Sequence, residues 1–186
     1  MHFHPVPAAQ RGFSLVELLA VLAVAAVLLG VGLPSLRSLV GSMAASAASN
    51  DLLADLLFAR SEALKRKARV TLCKSADGAT CTTAGRWDQG WIVFVDSNGN
   101  GTRAAGELLL QRQQALGGDL HALGNGTLAR YVAYAPDGST RQVGGAFQAG
   151  TLTVCRPSAE PVTGRLIVIN ANGRPRVQKS VLDGCP

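Results

Sequence analysis

The hydrophobic pattern begins with an apolar run long enough to cross a bilayer. Residues 13–33 contain just two clearly polar side chains, Ser14 and Glu17. As a helix rising 1.5 Å per residue, this run would be about 30 Å long, which matches the hydrocarbon core of a membrane. The positive charge of Arg11 would hold the N-terminus in the cytoplasm. The pattern therefore predicts a single-pass membrane helix over residues 13–34, with the following residues outside the cytoplasm.

Residues 35–69 continue the helical pattern, now with one polar face. Apolar residues recur at steps of three and four, which is typical of an amphipathic helix packed on a domain. The predicted apolar face consists of Leu36, Leu39, Val40, Met43, Ala47, Leu53, Leu56, Leu57, Ala63 and Leu64. The predicted polar face consists of Asp51, Asp55, Arg60, Glu62, Lys65 and Arg66.

After Ala68 the period changes from that of a helix to that of strands. Short runs rich in β-branched and aromatic residues alternate with turns containing Gly, Asn, Asp or Pro. The runs are RVTLCK, WIVFVD, ELLLQR, RYVAYA, TLTVCR and RLIVIN. The whole pattern predicts an α+β protein, in which a long N-terminal helix packs on an antiparallel, sandwich-like β-domain of residues 70–186.

The positive charge lies almost wholly outside the apolar run. The chain has a net charge of +6, and leaving out Glu17, the single charge of the run, gives +7 for the rest (6 + 1). A basic part outside the cytoplasm suggests an anionic partner, although it says little about the fold.

Glu17 is an unusual residue within an apolar run. A carboxylate in a membrane helix is energetically costly and usually faces a partner. Just before the run, Arg11-Gly12-Phe13 forms a processing mark, whereas a secretory signal is cut after its apolar region. The stretch RGFSLVELLAVLAVAAVLLGVGLPSL resembles the class III signal of type IV pilins and type II secretion pseudopilins.

The resemblance implies a role for each residue of this motif. Gly12 matches the glycine after which prepilin peptidase removes the leader, residues 1–12, and Phe13 matches the residue that is then N-methylated. Glu17 matches the assembly glutamate, which pairs with the amino terminus of a neighbouring subunit. Pro34 matches the segment where pilin helices weaken. The implied location is the inner membrane, with a periplasmic C-terminal domain that joins other pilins in a pilus or pseudopilus.

A second likeness covers most of the chain. The stretch WDQGWIVFVDSNGNG, together with a late GRxR sequence at Gly173, Arg174 and Arg176, resembles the GspH/FimT branch of the pilins. In FimT-like proteins the GRxR motif is associated with DNA capture, so the resemblance implies DNA as a partner.

The four cysteines all follow the predicted membrane segment. In an oxidising compartment an even number of cysteines indicates disulfides, and four cysteines allow three pairings. The sequential pairing, Cys73 with Cys81 and Cys155 with Cys185, closes the shortest loops and is the one we expect. The paired C-x₂₋₄-C spacing of a zinc site is absent from the sequence.

The sequence favours neither a cofactor nor an enzyme. Asp96, Asn98, Asn100 and Glu107 fit the regular expression of an EF-hand calcium loop, but strand-like runs flank them where an EF-hand has helices. Two carboxylates are also few for tight calcium binding, and NGNG suits a hairpin turn. His121 has no neighbours in sequence that indicate a triad or a metal set. We therefore expect a non-enzyme without catalytic or metal-binding residues.

The C-terminal stretch NGRPRVQKS, residues 172–180, is the candidate binding segment. Arg174 and Arg176 would share one face of a strand, and Pro175 between them suits an edge strand or an irregular tail. Arginine side chains grip phosphate oxygens without reading bases, so Arg174, Arg176 and Lys179 predict weak, salt-sensitive and non-specific DNA binding. Three further arginines could extend the basic surface: Arg141, Arg156 and Arg165.

Two functions are compatible with this organisation. The first is a minor pilin that binds DNA for uptake in natural transformation, as the likeness to FimT implies. The second is a structural pseudopilin of the type II secretion system, similar to GspH, in which the basic tail merely keeps the domain soluble. The terminal GRPR sequence favours the first.

Overall fold

The computed structural model describes residues 14–186, except for the side chains of residues 31–38. Gly12 and Phe13, the predicted processing residues, therefore lie outside the described residues. The first element is α1, Leu15–Arg66. Ser14 caps its first turn, because its Oγ accepts the backbone N–H of Glu17 at 3.2 Å. Within the described part, none of the helices has the length and apolar character that crossing a membrane requires. The membrane span predicted for residues 13–34 is thus not confirmed, and part of it, Phe13 and the side chains of residues 31–34, is not described.

Residues 41–186 form one compact unit, separate from residues 1–40. It contains the end of α1 and eight strands in two antiparallel sheets of four. The first sheet has the order β3-β2-β1-β5, and the second has the order β4-β6-β7-β8. The strands are β1 Val70–Lys74, β2 Trp91–Val95, β3 Leu109–Gln113, β4 His121–Gly124, β5 Tyr131–Tyr134, β6 Gly150–Cys155, β7 Val162–Ile169 and β8 Pro175–Leu182. The predicted α+β class is confirmed, and β4 and β8 are strands that the hydrophobic pattern did not reveal.

The buried face of α1 differs from the predicted one. The residues that enter the core are Ala45, Ala48, Leu52, Leu56, Ala59 and Ala63. Met43, predicted to be buried, is 62% exposed, and Leu39, Val40 and Leu57 are exposed as well. Leu56 and Ala63 of the predicted face are buried, whereas Ala45, Ala48 and Ala59 were missed because alanines carry little hydrophobic signal.

A single main core joins α1 to both sheets. Its largest side chains include Trp87 and Trp91 from the first half of the β-domain and Leu152, Ile167 and Ile169 from the second sheet. A polar contact lies inside this core: Asp55, predicted to lie on the polar face, is buried and accepts the Trp91 indole N–H at 2.7 Å. Burial raises the pKa of the Asp55 carboxyl above its ordinary value.

Both predicted disulfides are confirmed. Cys73 bonds to Cys81, which ties β1 to the loop that follows it. Cys155 bonds to Cys185, and the backbones of Ser158 and Cys185 pair beside it. The second disulfide therefore fastens the end of the chain beyond β8 to the end of β6.

The EF-hand-like sequence forms the loop between β2 and β3, which pair with each other as an antiparallel hairpin. The Oδ2 of Asp96 accepts hydrogen bonds from Arg69, Thr71 and the backbone of Gly101. Glu107 accepts the backbone N–H groups of Asn98 and Ala104. Both carboxylates thus accept hydrogen bonds within the loop, while the buried Oδ1 of Asp96 has no hydrogen-bond partner in the described structure.

Candidate nucleic-acid interface

The GRPR sequence lies at the turn between β7 and β8, and we call residues 170–176 the arginine turn. Asn170 organises it with two acceptors: its carbonyl accepts the Gly173 N–H at 2.9 Å, and its side-chain oxygen accepts the Arg174 N–H at 3.0 Å. Such a side-chain bond to the backbone a few residues later is a common way for Asn to fix a turn. The backbone of Arg174 is therefore held by the turn that precedes it.

Gly173 explains why the motif begins with glycine. Its φ is +72°, in the left-handed region that other L-residues rarely adopt. It is also buried against a second turn, since a Cβ built on Gly173 would lie 2.1 Å from the carbonyl oxygen of Gly138. The same Gly138 oxygen accepts the Arg60 Nε–H at 2.9 Å. The arginine turn thus docks on a turn that α1 itself holds in place.

The two arginines of the motif are exposed on one side of the chain. Pro175 is the first residue of β8, an edge strand, where its missing N–H leaves no gap in the sheet. Arg174 and Arg176 are exposed, whereas Pro175 and Val177 between and after them are half-buried. This alternation agrees with the prediction that the two guanidinium groups share a face.

Lys179 lies on the other face of β8. It is opposite Arg165 in the register of β7 and β8, and Arg165 donates from Nη2 to the Ser46 hydroxyl of α1 at 2.7 Å. The face that carries Lys179 is therefore the one turned toward α1, and Arg176 is on the opposite face. Arg156 belongs to the same end of the domain as Arg165, because its guanidinium lies over Gly41. The structure does not bring Lys179, Arg156 or Arg165 together with the two motif arginines.

Arg141 is the predicted extension that does lie beside the arginine turn. The backbone N–H of Thr140 donates to the Ala171 carbonyl at 3.2 Å, and the Thr140 hydroxyl donates to the Gln148 carbonyl at 2.6 Å, with the Asn170 carbonyl 3.1 Å away. The segment carrying Arg141 is thus bonded directly to the first half of the arginine turn. Arg141 follows this bonded segment, and its guanidinium donates to the Ser139 hydroxyl and the Gly145 carbonyl.

Few carboxylates neutralise the surface around the arginine turn, so this surface remains basic. Among the described residues, the ion pairs involve neither Arg174, Arg176 nor Arg141. Asp137 is the nearby acid of the Gly138 turn, and hydrogen bonds from Ser139 lower the pKa of its carboxyl, which keeps it ionised. At the end of α1, Lys65 and Arg66 share the single carboxylate of Glu62. Among the described residues, Arg174 and Arg176 thus have no ion-pair partner, whereas the Arg141 guanidinium donates to Ser139 and Gly145 and interacts with the Asp137 carboxylate.

Sequence reasoning missed two residues that position the motif. Asn170 holds the backbone of Arg174, and Arg60 holds the Gly138 carbonyl against which Gly173 packs. Asn170 comes directly after β7 and is followed by Ala-Asn-Gly, a typical turn sequence. This signal could have indicated the role of Asn170. Nothing in the sequence indicates Arg60, which is 78 residues from its acceptor.

Among the described residues, no group of three or more His, Cys, Asp or Glu side chains is arranged to hold a metal ion. His121, the histidine considered as a catalytic candidate, contacts the carbonyl of Pro186 at the chain end.

Comparisons with known proteins place the chain in a family. The family described as "Type II transport protein GspH" matches residues 48–173, and the "Prokaryotic N-terminal methylation motif" matches residues 7–33. The pilin-like protein PilA1 of Thermus thermophilus is 37% identical over 98 residues, which are 53% of this chain and 56% of that protein. This chain thus aligns with little more than half the length of that relative.

Solved structures show the same fold. A crystal structure of the type IV minor pilin FimU of Pseudomonas aeruginosa PAO1 has a TM-score of 0.52 and 19% identity, covering 76% of this chain and 94% of FimU. A second crystal form of FimU gives a TM-score of 0.50 and 20% identity, covering 76% of this chain and 99% of FimU. With the methylation motif at one end and the GspH match over most of the remainder, the chain belongs to the GspH family of type IV minor pilins and pseudopilins.

Proposed function

We propose that this protein is a minor pilin that binds DNA without sequence specificity through the arginine turn, as part of DNA uptake in natural transformation. The observation that carries the proposal is the docking of Gly173 on Gly138, which presents Arg174 and Arg176 on an exposed edge strand without carboxylate partners. Guanidinium groups held in this way match phosphate oxygens bidentately. Contacts to phosphates position a protein on DNA but carry no sequence information.

The proposal includes a route to the filament. Prepilin peptidase would cut after Gly12, the new amino group of Phe13 would be methylated, and residues 13–34 would anchor the chain in the inner membrane before assembly. The methylation motif over residues 7–33 supports this route. Glu17, exposed in the first turn of α1, would pair with the amino terminus of a neighbouring pilin subunit.

A structural pseudopilin of the type II secretion system is the second candidate. The family match favours it, because the match carries the description of a type II transport protein and ends at Gly173, before the two arginines. In this function the chain would contribute its helix and β-domain to a pseudopilus, and the arginine turn would bind nothing.

A DNA-binding comparison between matched arginine pairs separates the two candidates. Arg174→Gln/Arg176→Gln should bind a labelled duplex about tenfold or more weakly than the parent, since hydrogen bonds to charged groups are worth about 1.5–3 kcal/mol each. The control, Arg156→Gln/Arg165→Gln, removes the same charge from the other end of the domain and should change affinity much less. Equal losses in both variants would indicate net charge alone, and a parent that fails to bind at low salt would favour the structural pseudopilin.

A further inference from the structure

An exposed aromatic residue lies next to the arginine turn in the hairpin of residues 140–148. Arg141 and Phe147 pair across this hairpin, and the Arg141 guanidinium carbon is 4.0 Å from the centroid of the Phe147 ring. Phe147 is nevertheless 56% exposed. A single exposed ring is common on a protein surface, but this ring stacks with a guanidinium and still remains more than half exposed, which leaves it accessible to a ligand.

The hairpin is fixed to the same turn that presents the motif arginines. The backbone N–H of Thr140 donates to Ala171 on one side of the hairpin, and Ala171 directly follows Asn170, which holds the Arg174 backbone. On the other side, the buried Gln148 bonds to the backbone of β5 through its side chain. Phe147 therefore belongs to a well-supported element, and its position relative to the arginine turn is set by a short chain of hydrogen bonds.

The same hairpin also borders a cleft of about 300 Å³. Val143 of the hairpin lines it together with Arg130 and Tyr131 at the start of β5. The Tyr131 hydroxyl accepts the Val143 N–H at 3.0 Å, which holds the hairpin over the cleft. The cleft thus places the Tyr131 ring and a further arginine, Arg130, beside the same hairpin.

Arginine side chains alone do not distinguish double-stranded from single-stranded DNA, but an exposed ring does. In a duplex the faces of the bases are covered by their neighbours in the stack. In a single strand the bases can turn outward and stack on aromatic side chains while the phosphates follow a basic groove. Cation–π contacts from arginine add to such stacking.

We propose that this surface prefers single-stranded DNA, with phosphates on Arg174 and Arg176 and a base stacked on Phe147. The inference rests on the proposed function, because it assumes that the arginine turn binds DNA. It adds Phe147 to the binding residues and single-stranded DNA as the preferred ligand, neither of which the GRxR sequence indicates. The cleft beside Tyr131 and Arg130 receives the next part of the strand.

The test uses the full chain in detergent, with a labelled oligo-dT and a duplex of the same length at one salt concentration. The parent should bind oligo-dT more tightly than the duplex. Phe147→Leu should weaken oligo-dT binding about tenfold, in line with one lost stacked base, and leave duplex binding unchanged. Phe147→Tyr keeps a ring and should bind like the parent, and Leu108→Ala, an exposed apolar residue elsewhere, serves as the control.

Each other result overturns the inference in a recognisable way. If Phe147→Leu binds oligo-dT like the parent while Arg174→Gln/Arg176→Gln loses duplex binding, the proposed function stands and the stacking role is wrong. A parent that binds neither DNA contradicts both. If Phe147→Leu binds both DNAs normally but enters filaments poorly, the ring contacts another pilin subunit instead. Thermal unfolding of each variant shows that it is folded.

Discussion

Gly173 is the residue on which the geometry of the arginine turn most directly depends. It combines a positive φ with a contact to the Gly138 carbonyl that leaves no room for a Cβ. Because Arg174 follows it directly, any shift of Gly173 moves the first guanidinium of the motif. The glycine is therefore as much a part of the proposed binding surface as the arginines are.

We expect Gly173→Ala to lower both the stability of the domain and its affinity for DNA. Gly99→Ala is a matched control, because Gly99 has a similar φ of +70° but open space around its position. The backbone strain common to both should lower the free energy of unfolding by about 1–2 kcal/mol, and the clash with Gly138 should add to this loss in Gly173→Ala alone. Chemical denaturation and a DNA titration of both variants measure these effects. Equal losses of stability, with unchanged DNA binding, would show that the close packing has no such role.

Asp55 predicts a specific pH dependence of stability. Burial raises the pKa of its folded-state carboxyl above the ordinary value of 3.8, and the hydrogen bond from Trp91 only partly opposes this. The folded protein therefore favours the protonated form, so this contribution to stability is complete below pH 3.8 and is lost as the pH rises through the raised pKa. Asp55→Asn can still accept from Trp91, and it should lose less stability between acidic and neutral pH than the parent.

Unfolding curves at several pH values test the prediction for Asp55, with Asp183→Asn as a control that removes an exposed carboxylate. The free energy of unfolding of Asp55→Asn should equal or exceed that of the parent at pH 7. A stability loss at pH 7 that is absent at acidic pH would mean that the ionised carboxylate stabilises the fold, contrary to the expected sign.

At the scale of elements, β8 carries the binding surface but is fastened at both ends. At its start, the arginine turn docks on the Gly138 turn, and beyond its end the Cys155–Cys185 disulfide holds the chain to β6. Between them β8 pairs with β7 along its whole length, from Pro175 to Leu182. The arginine turn is thus far from the disulfide along the strand, so the two can be separated experimentally.

Removing the second disulfide should lower stability with little effect on DNA binding by the folded protein. The two cysteines are 30 residues apart in sequence. In the chain-entropy model, removing a disulfide across such a loop lowers the free energy of unfolding by about 3–4 kcal/mol. Cys155→Ala/Cys185→Ala should show this loss in chemical denaturation, while its DNA affinity under native conditions remains close to that of the parent. A large loss of affinity in a folded variant would mean that the chain end contributes to the binding surface directly.

The elements also show what could be predicted from the sequence. Helix α1, six of the strands and both disulfides were predictable, because their signals are local: hydrophobic period, turn residues and loop length. The buried face of α1 was predicted only in part, because Ala45, Ala48 and Ala59 carry little hydrophobic signal in the sequence. Strand β8 was not predicted, because an edge strand with polar residues on both faces lacks a clear alternation of apolar and polar residues. The docking of Gly173 on Gly138 joins residues far apart in sequence and has no local signal.

At the scale of the whole molecule, Glu17 tests the proposed route to the filament. Its contact with Ser14 is made by the backbone N–H, so Glu17→Val keeps this cap and removes only the carboxylate. We expect the variant to enter the membrane as well as the parent or better, since a charge in lipid costs about 2.5–3.5 kcal/mol. It should enter filaments less well, because the amino terminus of the neighbouring subunit loses its partner.

Fractionation of cells that express Glu17→Val would measure membrane and filament pools separately. Asp51→Asn, which removes an exposed carboxylate from the same helix, is the control and should assemble normally. Normal incorporation of Glu17→Val would show that the carboxylate has a role other than assembly.

The central claim is that the two motif arginines contact DNA phosphates, and the salt dependence of binding tests it most directly. Each phosphate contact on a duplex contributes a slope of about −0.9 to the plot of log affinity against log salt. The slope of Arg174→Gln/Arg176→Gln should therefore be shallower than that of the parent by about 1.8, while Lys179→Gln, on the opposite face of β8, should keep the parental slope. Parallel slopes for the parent and the arginine variant would contradict the account.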